Sequence, residues 1–169
     1  QFCTGMTFVS VEEVLSGKHD NTEVSMRGWI YRTRSNARLA FPQIRDSTGS
    51  MQLLVEAKHV GDDRFADARK ALVESSIVIK GNVIPDERAP GGREVHCTKF
   101  EVVHFGGDFP ISKDFSTEHL LDNRHLWLRS RRMTAILKVR STVTGAIHQF
   151  FKERGYTQFD LSLIHISEP

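Results

Sequence analysis

In "EVSMRGWIYRTRS" (23–35) apolar residues recur at every second position. Val24, Met26, Gly28 and Ile30 share one face; Arg27, Trp29 and Tyr31 share the other. That period belongs to a half-buried β-strand. "RLAFPQIRD" (38–46) alternates too, "DSTGS" (46–50) is a turn with Gly49 available for positive φ, and "MQLLVE" (51–56) is a third strand. Pro42 cannot donate to a ladder, so it implies an edge position or a bulge in the second strand. The period then lengthens: residues 60–74, "VGDDRFADARKALVE", set Phe65, Ala68, Leu72 and Val73 on one helical stripe. "SSIVIKGNVIP" (75–85) reads as a buried strand with a bend at Gly81, and "REVHCTKFEVVHF" (93–105) as a last strand after the loop "DERAPGG".

Five strands with one helix between the third and the fourth is the order of an OB-fold, a small Greek-key barrel that binds oligonucleotides on its strand 2–3 face. A short helix precedes it: "SVEEVLSG" (10–17) has Ser10 in N-cap position, Glu13 three residues on and Gly17 as a stop. The fold class expected is therefore β-rich α+β, a five-stranded OB barrel over 1–105.

After Phe105 the character changes. "GGDFPISKDFS" (106–116) and the residues to 120 read as a hinge. Met133, Ile136, Val143, Ile147 and Phe150 then recur on one face of a long helix, from about Arg131 to Arg154, with Gly155 as its C-terminal stop. "YTQFDL" (156–161) reads as a short strand. One helix and one strand cannot make a core, so residues 121–160 are expected to begin a second domain.

The net charge of +2 does not argue for nucleic acid, but the distribution of charge does. Five arginines and no carboxylate lie between Arg27 and Arg45, and six basic residues and no carboxylate between Arg124 and Arg140. Arg32, Arg34, Arg38 and Arg45 surround Phe41 on the face where an OB-fold holds its ligand. Two cysteines, Cys3 and Cys97, exclude a disulfide scaffold and fit a reducing compartment. His96, Cys97 and His104 do not make a metal site, because neighbours 96 and 97 point to opposite faces of a strand; no metal ligands are assigned. No apolar run approaches the ~20 residues that span a bilayer, so the expected location is cytoplasmic with no membrane partner.

The spaced motifs resemble a known family. A G-W opening, then arginines, then aromatic-x-x-hydrophobic-R-D, then G-x-h-Q, all present in "VSMRGWIYRTRSNARLAFPQIRDSTGSMQLLV", resembles the anticodon-binding domain of the class IIb aminoacyl-tRNA synthetases. "HLLDNRHLWLRS" (119–130) is similar to the start of their catalytic domain, in the form of asparaginyl rather than aspartyl members. "AIHQFFKERGYTQFD" (146–160) resembles class II motif 1, the long helix and strand of their dimer interface.

The resemblance implies that Phe41 stacks on an anticodon base, that Gln52 reads the central uridine, that Arg34 holds that base or its phosphate, and that Glu94 lies near the third base. Arg32 and Arg38 would supply general electrostatic attraction. Ile136, Val143, Ile147 and Phe150 would face a two-fold partner in a homodimer. The parent enzyme would use ATP and Mg²⁺ to join asparagine to tRNA(Asn). Motifs 2 and 3 do not occur in the chain, so no catalytic residue is assigned, no cofactor is expected on it, and it is expected to be inactive alone. After Asp160 the family pattern stops: "LSLIHISEP" (161–169) fits no element and is expected to be a non-native tail. The alternatives are an aspartyl enzyme of the same class and a stand-alone OB module for single-stranded nucleic acid. An asparagine-synthesising relative would lack the OB domain.

Overall fold

The computed structural model describes residues 7–111 and 116–159. The expected tail at 161–169 lies outside them, as do residues 112–115 of the expected hinge. The chain divides into two compact units, Gln1–Phe109 and Pro110–Pro169.

The first unit is a closed barrel. β1 (Glu23–Arg32) lies antiparallel between β3 (Gln43–Arg45) and β5 (Ser76–Pro85). β4 (Ser50–Glu56) pairs antiparallel with β3 and with the two-residue β2 (Leu39–Ala40). β6 (Arg93–His104) runs antiparallel to β5 and closes the ring by pairing in parallel with β4. β2 and β3 are one strand broken at Phe41–Pro42, for Ala40 opposes Val55 and Gln43 opposes Gln52 in unbroken register on β4. Pro42 still accepts from the Leu53 N–H at 2.8 Å, so the ladder loses only the donor that proline lacks. Five strands result, with Pro42 at the expected irregularity. The alternating residues fill the interior: Met26 and Ile30 of β1, Leu53 and Val55 of β4, Ile79 of β5 and Val95 and Phe100 of β6 are buried.

Gly81 sits at a register shift between β5 and β6, and a Cβ there would collide with the carbonyl oxygen of His96. The barrel bends where one strand's backbone must approach another that closely. Cys97 is buried in the same wall, and burial pushes its thiol far above the ordinary range.

The helical segment departs from expectation in two ways. It splits into α2 (Ala57–Val60) and α3 (Asp62–Lys70) at Gly61, whose φ is +88°, and it stops at Lys70 rather than Glu74. Phe65 and Ala68 are buried as the stripe requires, but Leu72 is exposed. The reason lies in the backbone beyond Lys70. Glu74, at φ +67°, donates its N–H to the Ile30 carbonyl, and the Ser75 carbonyl accepts from the Ile30 N–H. Residues 74–75 serve the end of β1 and cannot also continue a helix.

α1 (Val11–Leu15) has the capping box read from the sequence: the Ser10 side chain accepts from the Glu13 N–H while the Glu13 carboxylate accepts from the Ser10 N–H. Gly17 follows at φ +88°. Arg93 secures the helix, forking onto both oxygens of Asp20 at 2.6 and 2.9 Å and donating to the Leu15 carbonyl. The turn at 46–49 works differently from the reading above. Gly49 is not among the glycines at positive φ. Asp46 makes the turn instead: its Oδ1 accepts from the Thr48 and Gly49 N–H groups, and its Oδ2 accepts from the Val11 N–H at the start of α1. Gly49 is small because a Cβ there would press on Val11 at 3.3 Å.

In the second unit, α4 (Thr117–Asp122) and α5 (Arg124–Trp127) lead into α6 (Arg131–Glu153), whose 23 residues extend about 35 Å at 1.5 Å per residue. Ser130 caps its start by accepting from the Met133 N–H, and Gly155 follows its end at φ +81°. Ile136, Val143, Ile147 and Phe150 are each about half exposed. The expected strand at 156–161 is not formed in its described part. Residues 156–159 are irregular, because Tyr156 turns back to donate its N–H to the Phe151 carbonyl and packs edge-on against the Phe151 ring.

Asp46 generates a prediction. Burial raises its carboxyl, but donors from Val11, Thr48 and Gly49 outweigh that and hold it below the usual carboxylate range. A depressed folded-state pKa gives stability that is complete above the unfolded value of about 3.9 and lost as pH falls through the folded value. Asp46→Ala should cost about 2–3 kcal/mol in urea unfolding near neutral pH, since several donors lose a charged acceptor. Asp46→Asn should flatten the acid limb of the stability–pH curve. An unchanged acid limb would show that this carboxylate does not hold the turn.

Candidate nucleic-acid interface

A hairpin, a strand pair and a loop converge on one side of the barrel. The hairpin 34–41 is closed by the Phe41 N–H donating to the Arg34 carbonyl at 2.8 Å, and by Asn36, whose Oδ1 accepts from the Arg38 and Leu39 N–H groups. That closure sets Arg34 and Phe41 opposite one another, with the guanidinium carbon 5.2 Å from the ring centroid, within cation–π range. In β4, Met51 and Leu53 point inward, so Gln52 points out; in β6, Val95 and Cys97 point inward, so Glu94 and His96 point out. The parallel register sets Gln52 beside Glu94.

These side chains form one continuous series of contacts. Arg34 Nη2 donates to Gln52 Oε1 at 3.3 Å, Gln52 Nε2 donates to Glu94 Oε2 at 3.0 Å, and Glu94 Oε1 lies 2.8 Å from His96 Nε2. A guanidinium only donates and a carboxylate only accepts. The amide of Gln52 is therefore fixed in one orientation, oxygen toward Arg34 and nitrogen toward Glu94. Each end keeps unused capacity, because an amide carries two N–H donors and its oxygen two lone pairs. Gln52 and Glu94 are each only 8% exposed, so this is a set orientation and not a solvated pair. In the adjoining loop the Asp86 carboxyl is lowered, first by the Arg88 N–H and then by the Arg88 side chain, with a smaller contribution from His96.

All four residues expected to face an anticodon, Arg34, Phe41, Gln52 and Glu94, are brought into this one series. Arg32 and Arg38 are exposed beside it, Arg32 at 5.3 Å from the Tyr31 ring centroid. Arg45 has a different task, donating to both oxygens of Glu74 at 2.8 and 2.9 Å. His96 was weighed in the sequence only as a metal ligand. The period of two from Glu94 to His96 is the signal that places it here.

Residues 24–103 match the family of OB-fold nucleic acid binding domains, and residues 116–167 match the class II tRNA synthetases (D, K and N). The chain belongs to the class IIb aminoacyl-tRNA synthetases. It is similar to curated asparagine–tRNA ligases and to asparaginyl-tRNA synthetases of known structure. It is 40% identical over 152 residues to the asparagine–tRNA ligase of Symbiobacterium thermophilum, which covers 89% of the chain and 34% of that protein. It is 40% identical over 150 residues to that of Thermoplasma acidophilum, covering 89% and 35%. The asparaginyl-tRNA synthetase of Pyrococcus horikoshii complexed with asparaginyl-adenylate superposes with a TM-score of 0.85 at 37% identity, over 93% of this chain and 37% of that one. The chain thus spans about a third of the length of the synthetases it matches.

If the Gln52–Glu94 bond fixes this part of the synthetase barrel, the two residues should be energetically coupled. Gln52→Ala, Glu94→Ala and the double variant, compared by urea unfolding, should give an interaction energy of about 0.5–3 kcal/mol. Additive losses would mean that the pair is incidental.

Proposed function

We propose that the barrel reads the anticodon of tRNA(Asn), and that the parent protein is an asparagine–tRNA ligase converting ATP, L-asparagine and tRNA(Asn) to AMP, diphosphate and asparaginyl-tRNA(Asn). The observation that carries this reading is the fixed amide of Gln52, held between Arg34 and Glu94 beside the half-buried ring of Phe41. A base that stacks on Phe41 has Arg34 next to its phosphate and the Gln52 amide next to its hydrogen-bonding edge. Because the amide is already oriented, binding does not have to order it, and a base with the wrong donor–acceptor pattern leaves buried polar groups unpaired. Glu94 would accept from the third base. Arg32 and Arg38 would attract phosphates without reading sequence.

ATP and Mg²⁺ belong to the chemistry of the class, whose catalysis is largely positioning and electrostatic stabilisation of phosphate charge. Among the described residues no cluster of three His, Cys, Asp or Glu side chains could hold a metal ion. In this reading the nucleotide is held by parts of the parent catalytic domain other than those matched here. The same reading places the protein in the cytoplasm; no described helix is long and apolar enough to cross a membrane. The asparaginyl reading is favoured over the aspartyl one by 37–40% identity to the asparaginyl proteins. The aspartyl tRNA synthetase of Entamoeba histolytica, 20% identical with a TM-score of 0.85, shares the fold alone. A stand-alone OB module does not account for the match over residues 116–167.

Three measurements test the anticodon reading together. Phe41→Ala should weaken binding of an anticodon stem-loop with the asparagine anticodon by about 1–3 kcal/mol with the fold retained. Gln52→Ala should narrow the preference for a central uridine over a cytidine by about 1–3 kcal/mol. Arg38→Ala should weaken both ligands equally and reduce the salt slope by close to one counterion. A uridine–cytidine ratio unchanged by Gln52→Ala would overturn the assignment of that residue.

The stripe of Ile136, Val143, Ile147 and Phe150 on α6 is assigned to a two-fold interface. Sedimentation of the 169-residue chain should show concentration-dependent association, which Val143→Glu with Ile147→Glu should abolish. A monomer at all concentrations would count against the assignment.

A further inference from the structure

The series of contacts does not end at Glu94. His96 Nε2 lies 2.8 Å from Glu94 Oε1, while Gln52 occupies Oε2, so both carboxylate oxygens are held from opposite sides. An imidazole nitrogen at that distance from a carboxylate oxygen carries the proton, which leaves Nδ1 as an acceptor in the neutral ring and a donor in the charged one. The His96 side chain is 39% exposed against 10% for Glu94, so the ring forms the outer wall of the carboxylate.

We propose that His96 is a positioning residue of the anticodon site: it fixes the outward setting of Glu94 and, when protonated, offsets the charge of that carboxylate against the incoming RNA. The inference rests on the reading that this face receives the anticodon. Its physical basis is a conflict within the site. A buried carboxylate suits a base that donates, but its negative charge opposes a polyanion. A histidine seated on the carboxylate removes the conflict without using up the acceptor, because each oxygen has a second lone pair.

The surroundings permit His96 to govern this balance. Its neighbours in register are Leu54 on β4 and Asn82 on β5, neither of which titrates. From the loop after β5, Asp86 interacts electrostatically with His96 and Arg88 with Glu94, and those two are ion-paired with each other at 3.2 Å. Arg34 acts through Gln52. The loop thus contributes a compensated pair, and His96 is the group that touches Glu94 Oε1 directly.

The test is binding of the asparagine anticodon stem-loop to the full 169-residue chain at about pH 6 and about pH 8, either side of the usual imidazole range. Wild type should bind about threefold or more tightly at the lower pH, as a charged His96 ring offsets the Glu94 carboxylate against the phosphates. His96→Ala should weaken binding at both pH values by about three- to tenfold, since Glu94 loses a charge-assisted partner. His96→Gln, whose amide can donate to Glu94 but does not titrate, should restore binding at pH 8 and show no gain at pH 6. His96→Gln that keeps the gain, or a folded His96→Ala that binds as wild type at both pH values, would overturn the proposal. Phe41→Ala and Glu94→Gln in the same assay separate the two ideas. If neither weakens binding, the anticodon reading itself falls and this inference with it. If both do while His96→Gln keeps the gain, the role of His96 alone is wrong.

Discussion

Everything on the ligand face depends on the parallel contact between β4 and β6. Antiparallel neighbours can be joined by a tight turn, whereas parallel neighbours need a long crossover, and here the crossover runs through α2, α3 and the whole of β5. It closes the sheet and removes the open edges that would invite pairing with other chains. It also sets residue 52 beside residue 94, so the register that shuts the barrel also builds the Gln52–Glu94 contact. A slip of one residue would turn Gln52 inward and bring Leu53 to the surface.

The arginines around Phe41 divide according to their partners. Arg45 is held by a glutamate and stabilises the junction of β3 with the segment before β5. Arg34 is held by an uncharged amide, so its charge is not cancelled there and it orients Gln52. Arg32 and Arg38 are solvated. The basic stretch is therefore three devices, a structural ion pair, a donor that orients Gln52 and a diffuse field.

Much of this was legible from local rules. The alternation of Val24, Met26 and Ile30 gave the inward face of β1, Ser10 and Glu13 gave the capped start of α1, and Pro42 and Gly81 marked two of the irregularities of the barrel. What local rules missed was decided by partners distant in sequence. α3 stops at Lys70 because residues 74–75 are claimed by Ile30, and the turn before β4 is made by an Asp46 that also serves α1, so Gly49 needs no special φ. The period of two on β6 puts His96 on the face of Glu94, but only the closure shows that this face meets Gln52. The family motifs reached Arg34, Phe41, Gln52 and Glu94 but not the hydrogen bonds that join them.

Cys97 gives the barrel a built-in clock. Its sulfur lies inside the wall one residue from His96, and its raised pKa keeps it in the unreactive thiol form. An alkylating reagent reaches a buried thiol only through local opening, so the labelling rate at this one atom would measure how often the wall around Cys97 opens. Bound RNA that draws β4 and β6 together would slow that rate, and recognition would be recorded from inside the barrel by an atom that never meets the ligand.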